Sequence, residues 1–204
     1  MYSKAQKTVV SSEGQGMRVS KAQVQLNRAH IVETASRLFR ERGYDGVGVA
    51  DLMAEAGFTH GGFYKHFGSK ADLMAEAAAS GLCQSLTDSA GLGADEFFNR
   101  YVSREHRDAP GQGCTMSALC GDAARQSETV KATFAEGIDN ALAALQQDAG
   151  GQDEDVRAQM INRFAHAIGA IVLSRACPDD SPLADEILEV CRRALLADES
   201  ALKA

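Results

Sequence analysis

The chain has 204 residues, of which 45% are apolar and 24% charged, a composition that fits a soluble globular protein of one domain or two small ones. Three prolines and little strand-like alternation of Val, Ile, Thr and aromatic residues exclude a sandwich, a barrel or a disordered chain and make helix the default. The net charge of −7 conceals a split: residues 1–70 carry ten Lys/Arg against six Asp/Glu, whereas the remainder carries 11 against 22, so a segment suited to a polyanion precedes one that is not.

Residues 1–19 are rich in Ser, Gly, Gln and Lys without apolar periodicity and are expected to form a flexible arm. From Ser20 to Arg42, Val24, Ile31, Ala35, Leu38 and Phe39 recur at helical spacing, and Gly43 closes the segment as a C′ residue would. A short turn leads into VADLMAEA (49–56), then Gly57, Phe58 and Thr59, then HGGFYKHF (60–67). Ser69 is a good N-cap for an alanine-rich helix running to or past Leu82. Helical patterns follow over about 94–106, 114–125, 128–147, 154–175 and 182–197, with a clear loop at RDAPGQG (107–113). The prediction is an all-α chain of eight or nine helices with short connections.

No run approaches the ~20 apolar residues of a membrane span, and the first 30 residues lack the apolar core of a signal peptide, so a cytoplasmic location is expected. The five cysteines are odd in number and irregularly spaced, which fits free thiols in a reducing compartment. No spacing suggests a metal site, no motif suggests a cofactor, and a phosphate loop, a nucleophile elbow and paired carboxylates are all lacking, so an enzyme is not expected.

Residues 49–67 have the sequence form of a helix-turn-helix, with Gly57 available for a positive φ and Thr59 as N-cap of the second helix. On that second helix Phe63 and Phe67 lie four apart and face inward, leaving His60, Gly61, Tyr64 and Lys65 on the opposite arc. The plainer alternative is a helical hairpin with a solvated polar face. The basic, hydroxyl-bearing outer arc and the charge split favour a DNA reader. Gly61 and Gly62 each cost about 1 kcal/mol of helix propensity relative to Ala, and close backbone approach to DNA is one reason to keep them.

The order of residues over 28–73, RAHIVETASRLFRERGYDGVGVADLMAEAGFTHGGFYKHFGSKADL, resembles the TetR-type bacterial transcriptional regulators. SRLFRERG, AGFTHGGFYKHFGSK, Lys70 and Leu73 carry the likeness; the rest of the chain matches only in layout. The resemblance implies an all-helical homodimer with a DNA-binding domain over 20–68 and an effector-binding and dimerisation domain over 69–204. It further implies double-stranded operator DNA and a small-molecule effector as partners, and a repressor released by that effector. Carried over, His60, Gly61, Gly62 and Tyr64 correspond to base-facing positions, with Lys65 a possible addition, Tyr64, His66 and Lys70 to phosphate contacts, and Thr59 to the cap of the reader helix. Gly48 and Ala50 depart from the family's usual Ser/Thr cap and frequent Arg, removing a hydroxyl and a possible phosphate contact.

In the second half, Val156, Met160, Phe164, Ile168, Ile171 and Val172 form one stripe, and Leu183, Ile187, Val190, Ala194 and Leu195 another; the resemblance makes them the expected dimer stripes. His166 among them is expected to be packed or hydrogen-bonded. An effector pocket is expected within about 70–175, although no polar constellation marks one, and Arg104, His106 and Arg107 read as solvated surface. Cys114 opens a predicted helix, where the dipole would favour its thiolate, and GCTMSALCGDAAR resembles the corresponding part of family members that respond to electrophiles. That gives an alternative, an electrophile- or redox-sensing regulator with Cys114 as sensor, against simple packing. Cys120, about 240° further round the same helix, cannot pair with it there.

Overall fold

The computed structural model describes residues 20–149 and 153–197, so the expected arm at 1–19 lies outside the described residues. The α-helices run in the order α1 (Lys21–Arg42), α2 (Val49–Glu55), α3 (Lys70–Ser89), α4 (Ala94–Tyr101), α5 (Arg104–Asp108), α6 (Thr115–Ala123), α7 (Glu128–Asp148), α8 (Glu154–Arg175) and α9 (Pro182–Ala197). Two 3₁₀ turns, His60–Lys65 and Pro110–Gln112, complete the list, and no strand occurs among the described residues. The all-α expectation is met.

Local chemistry explains the boundaries. The Ser20 side chain accepts the Gln23 N–H at the start of α1, and Gly43, at φ 72°, ends it by donating to the Phe39 carbonyl. Ser69, Ser127 and Asp153 cap α3, α7 and α8 in the same way as Ser20. The single helix expected over 94–106 is instead two. Its ladder stops at Val102, and Ser103 restarts it as an N-cap accepting the His106 N–H at 3.2 Å. A serine hydroxyl within a helical pattern offers the backbone this alternative, which apolar periodicity does not register.

Two apolar cores share α3 as a spine. The first gathers Ile31, Leu38 and Phe39 of α1, Leu52 and Met53 of α2, Phe63, Phe67, and Leu73 and Met74 of α3, and is completed by Leu119, Val130 and Phe134 from α6 and α7. The second holds Leu82, Phe98, Tyr101, Met116, Phe164, Ile171, Leu188 and Leu195. Where α3 crosses α1 and α6, Gly81 leaves no room for a methyl: a Cβ there would fall 2.4 Å from Thr115 Oγ1 and 2.6 Å from Arg40 Nη1. The first core is therefore clamped directly to the second half of the chain.

The α8 stripe assigned to an interface is mostly core, whereas the α9 stripe is mostly open, with Leu183, Val190 and Ala194 exposed. Met160, Phe164, Ile171 and Leu195 are buried, and Val156, Ile168 and Ile187 pack against them. The large apolar side chains left open on α8 and α9 are Ile161, Val172, Leu173, Leu183 and Val190, of which Val172, Leu183 and Val190 were in the stripes. One residue along a helix is a rotation of about 100°, so Ile161 beside Met160, and Val172 beside Ile171, present a second apolar face. His166, expected to be packed, is exposed.

Candidate nucleic-acid interface

Gly57, at φ 79°, turns the chain after α2, and the Phe58 N–H closes the turn on the Met53 carbonyl at 2.8 Å. The segment that follows, His60–Lys65, is a 3₁₀ turn rather than the expected α-helix. Six residues with two adjacent glycines are too short and too weak in propensity to hold an α-helical ladder, and the tighter turn satisfies the backbone locally. Thr59 sits at the N-cap position with extended backbone, but its side chain makes no capping bond; its carbonyl takes the Gly62 N–H at 2.9 Å. The cap role expected of the Thr59 hydroxyl is thus absent. Gly48, at the start of α2, likewise makes no side-chain cap.

Phe63 and Phe67 are buried with ring centroids 5.5 Å apart, anchoring the turn in the first core. His60, Gly61, Tyr64 and Lys65 are exposed on its outer side, and Tyr64 is 69% accessible with its ring edge-on to His60 at 6.5 Å. No protein atom comes within 4 Å of a Cβ placed on Gly61, and one on Gly62 meets only ordinary contacts. The outer face is therefore a free surface bearing two donors on long side chains, one imidazole and a stretch of bare backbone.

The two flanking residues are held inward. The half-buried His66 ring lies between Phe58 and Phe67, at 6.3 and 6.2 Å, with Nδ1 buried and unpartnered. Lys70 Nζ donates to the Tyr44 carbonyl at 2.6 Å and lies 5.9 Å from the Phe39 ring, tying α3 to the turn after α1. Sequence reasoning did not single out Arg28. Its guanidinium stacks on Phe67 at 4.7 Å, donates to the His66 carbonyl at 3.3 Å and pairs with Glu76, fixing the end of the 3₁₀ turn. A partner 48 residues away leaves no local signal.

A second feature lies in the other core. A cavity of about 220 Å³ opens among α3, α4, the segment 106–116, α7 and α8, within the stretch where a pocket was expected. Leu82, Leu86, Leu92, Phe97, Met116 and Phe164 give it apolar walls, and Tyr101, His106 and Cys114 line it as well. His106 Nδ1 lies 2.7 Å from the Tyr101 carbonyl and Nε2 accepts the Cys114 N–H at 3.0 Å, which requires a neutral ring protonated at Nδ1. Burial lowers the His106 pKa; the Tyr101 carbonyl opposes this and Arg175 adds to it. Burial drives the Tyr101 phenol well above its ordinary value; the Cys114 thiol beside it adds to this and the Ser117 hydroxyl opposes it, although neither makes a hydrogen bond of ordinary geometry with the phenol. Cys114 is half-buried at the N-cap position of α6, while burial pushes the Cys120 thiol up to about 11.

Arg107, read as surface, is 3% exposed. It donates to Ser174 Oγ at 3.0 Å, to the Cys177 carbonyl at 3.1 Å and to Asp179 at 3.1 Å. Arg104 keeps to the surface, paired with Asp108 and Asp185, each at 2.8 Å. Between the cavity and α1 runs a strap. Arg40 of α1 donates twice to the Gly111 carbonyl, at 3.1 and 2.6 Å, while Arg175 of α8 holds the carbonyls of His106 and Arg107 at 2.7 and 2.9 Å. Among the described residues no group of three or more His, Cys, Asp or Glu side chains is placed to hold a metal, and no helix is long and apolar enough to cross a membrane.

Residues 31–77 match the family model described as bacterial regulatory proteins, tetR family. The transcriptional regulator AcrR of Shigella flexneri is 37% identical over 59 residues, 29% of this chain and 27% of its own length. TtgR of Pseudomonas putida is 41% identical over 58 residues, 28% of either chain, so the match spans just over a quarter of these curated relatives. Over the whole fold, the reduced form of E. coli NemR superposes with a TM-score of 0.67 at 21% identity, covering 83% of this chain and 94% of that one.

Proposed function

Because residues 31–77 match the model of the tetR family of bacterial regulatory proteins, we propose that the chain is a regulator of that family, a cytoplasmic, homodimeric DNA-binding repressor that leaves its operator when a small molecule fills the cavity. The observation that carries the reading is the 3₁₀ turn whose rings are buried and whose polar side chains stand free. Residues 20–68 take the DNA-binding role and 69–204 the effector and dimer roles. His60, Gly61, Gly62 and Tyr64 face base edges, with Lys65 beside them and backbone approach at the glycines adding shape readout. Tyr64 and Lys65 reach phosphates. Lys70 keeps two N–H donors beyond the one given to Tyr44 and meets a phosphate with those, while Thr59 and His66 act through backbone position.

The open face of Ile161, Val172, Leu173, Leu183 and Val190 supports a two-fold interface, which places two reader turns on successive major grooves of an inverted repeat with half-sites roughly 10 base pairs apart. The strap supports coupling, since Gly113 and Cys114 line the cavity while Gly111 is bonded to α1.

The test is a salt-dependent gel shift of duplex DNA with light scattering on the same samples. Wild type is expected to shift duplex as a dimer. Lys65→Ala is expected to weaken specific and random duplex alike and reduce the salt slope by about one unit. Val190→Asp is expected to be monomeric and to lose binding. Failure of wild type to shift any duplex, or full affinity in monomeric Val190→Asp, overturns the reading.

A second reading makes Cys114 an electrophile sensor, favoured by its position on the cavity wall. A limiting amount of maleimide should then label Cys114 ahead of Cys120 in the native protein, and labelling should release DNA, with Cys114→Ser insensitive. Labelling of Cys114 only after denaturation rules this out.

A further inference from the structure

We propose that one uncharged, elongated and largely apolar molecule occupies two adjoining spaces, its compact end in the cavity of about 220 Å³ and its tail in a second space of about 400 Å³ between the α3–α4 connection and α7. The proposal rests on the reading of the cavity as the effector site and gives that effector a shape and a charge.

Shape comes from the partition. Leu86, Ser89, Leu92, Phe97 and Ala141 line both spaces, and all five are half-buried, so what divides the two is a lip that solvent reaches and not a sealed wall. A cavity of about 150 Å³ in another protein holds benzene, so the inner space admits one ring. Alone it is smaller than the ~300–1,000 Å³ usual for small-molecule sites, whereas the two spaces together fall within that range. A ligand with its ring among Met116 and Phe164 therefore has room to extend past Phe97 toward Ala144.

Charge comes from the side chains around the two spaces. Arg100 at the inner rim is paired with Glu96 at 2.6 Å, and the neutral His106 ring has both nitrogens engaged. The outer space has no Lys, Arg or His among its lining residues, and its one charged residue is the exposed Asp148; Asp88, also exposed, is at the inner rim. An anionic ligand would meet carboxylates and no unpaired cation among these residues. A cationic one would have only exposed carboxylates to pair with, which contribute little, and its charge would lie against leucine and phenylalanine on entering. A tail ending in a hydroxyl, in contrast, has at its end of the site the carboxamides of Asn140 and Gln147, which make no side-chain hydrogen bond among the described residues.

The experiment uses the full chain in calorimetry and thermal unfolding, with the series toluene, ethylbenzene, propylbenzene and butylbenzene and with phenylbutanol, phenylbutyrate and phenylbutylammonium. Affinity is expected to rise about fourfold per methylene from toluene to butylbenzene, the worth of burying one such group, because the tail finds space beyond the lip. Phenylbutanol is expected to bind about tenfold more tightly than either charged probe. Ala144→Leu, at an exposed position that lines only the outer space, should leave toluene binding unchanged and abolish the gain beyond ethylbenzene. Ser85→Leu, which lines only the inner space and gives up a bond to the Gly81 carbonyl, should weaken every probe. Affinity that is flat from toluene to butylbenzene, a charged probe bound as tightly as phenylbutanol, the full gain with length in Ala144→Leu, toluene binding unchanged in folded Ser85→Leu, or no binding of any probe overturns the proposal. The expected series with duplex affinity in the gel shift unchanged by butylbenzene supports this ligand class and overturns the release mechanism instead.

Discussion

At the 3₁₀ turn of residues 60–65 the aromatic rings point inward and the polar groups stand in solvent; at the cavity the rings of Phe97 and Phe164 face open space and the polar groups are held at its inner end. The first arrangement is a rigid mount for a surface, with Phe63 and Phe67 packed in a dense core. The second is a core with a part left out, walled by groups that lack neighbours on one side. Binding outward needs only a firm base, whereas binding inward needs the protein to forgo packing, so the same side-chain types carry different energies in the two places.

Truncating a ring in each region sharpens this contrast most. Phe63→Ala is expected to lose about 3–5 kcal/mol of stability because its site is full, and Phe97→Ala about 1–2 kcal/mol because its ring is half-buried beside existing space. Denaturant midpoints of the two variants measure the difference, and equal losses would mean the cavity is closed in solution.

A smaller effect separates the regions by pH. The folded pKa of His106 lies below its unfolded one, so between the two values the unfolded chain binds more protons and stability falls as pH drops from about 6.5. The melting temperature of wild type is expected to fall between pH 7 and 5.5 more steeply than that of His106→Gln, which removes the cavity-side contribution and leaves the reader turn intact. Parallel profiles for the two proteins would show that His106 contributes nothing.

Legibility follows the range of the interactions. The helix ends at Ser20, Gly43, Ser69 and the turn at Gly57 were readable because each is settled by residues within four positions, and so was the inward pair Phe63 and Phe67. The 3₁₀ form of the reader turn was not foreseen, although its cause, the glycine pair, was noted. Arg107 looked like surface because its partners Ser174 and Cys177 are about seventy residues away. The cavity was hidden for the same reason: its walls are drawn from residues 82 to 164, and no window of sequence contains them. The exposed face of α8 was misplaced by one helical step because periodicity finds where a helix is apolar, and there two adjacent faces are; on α9 the exposed Leu183 and Val190 already belonged to the stripe.

Gly61 and Gly62 give the reader turn an evolutionary latitude that its mount does not share. Neither has positive φ, a Cβ on Gly61 meets nothing within 4 Å, and one on Gly62 comes no nearer than 3.6 Å to Met53 and 3.7 Å to Thr59. Side chains can therefore be written onto these two positions one mutation at a time, gaining roughly 0.4–1 kcal/mol each by restricting the unfolded chain. If the turn reads DNA as proposed, new operator preferences are reachable by single steps that leave the core intact, so its vocabulary would be set by what the DNA offers and not by what the fold permits.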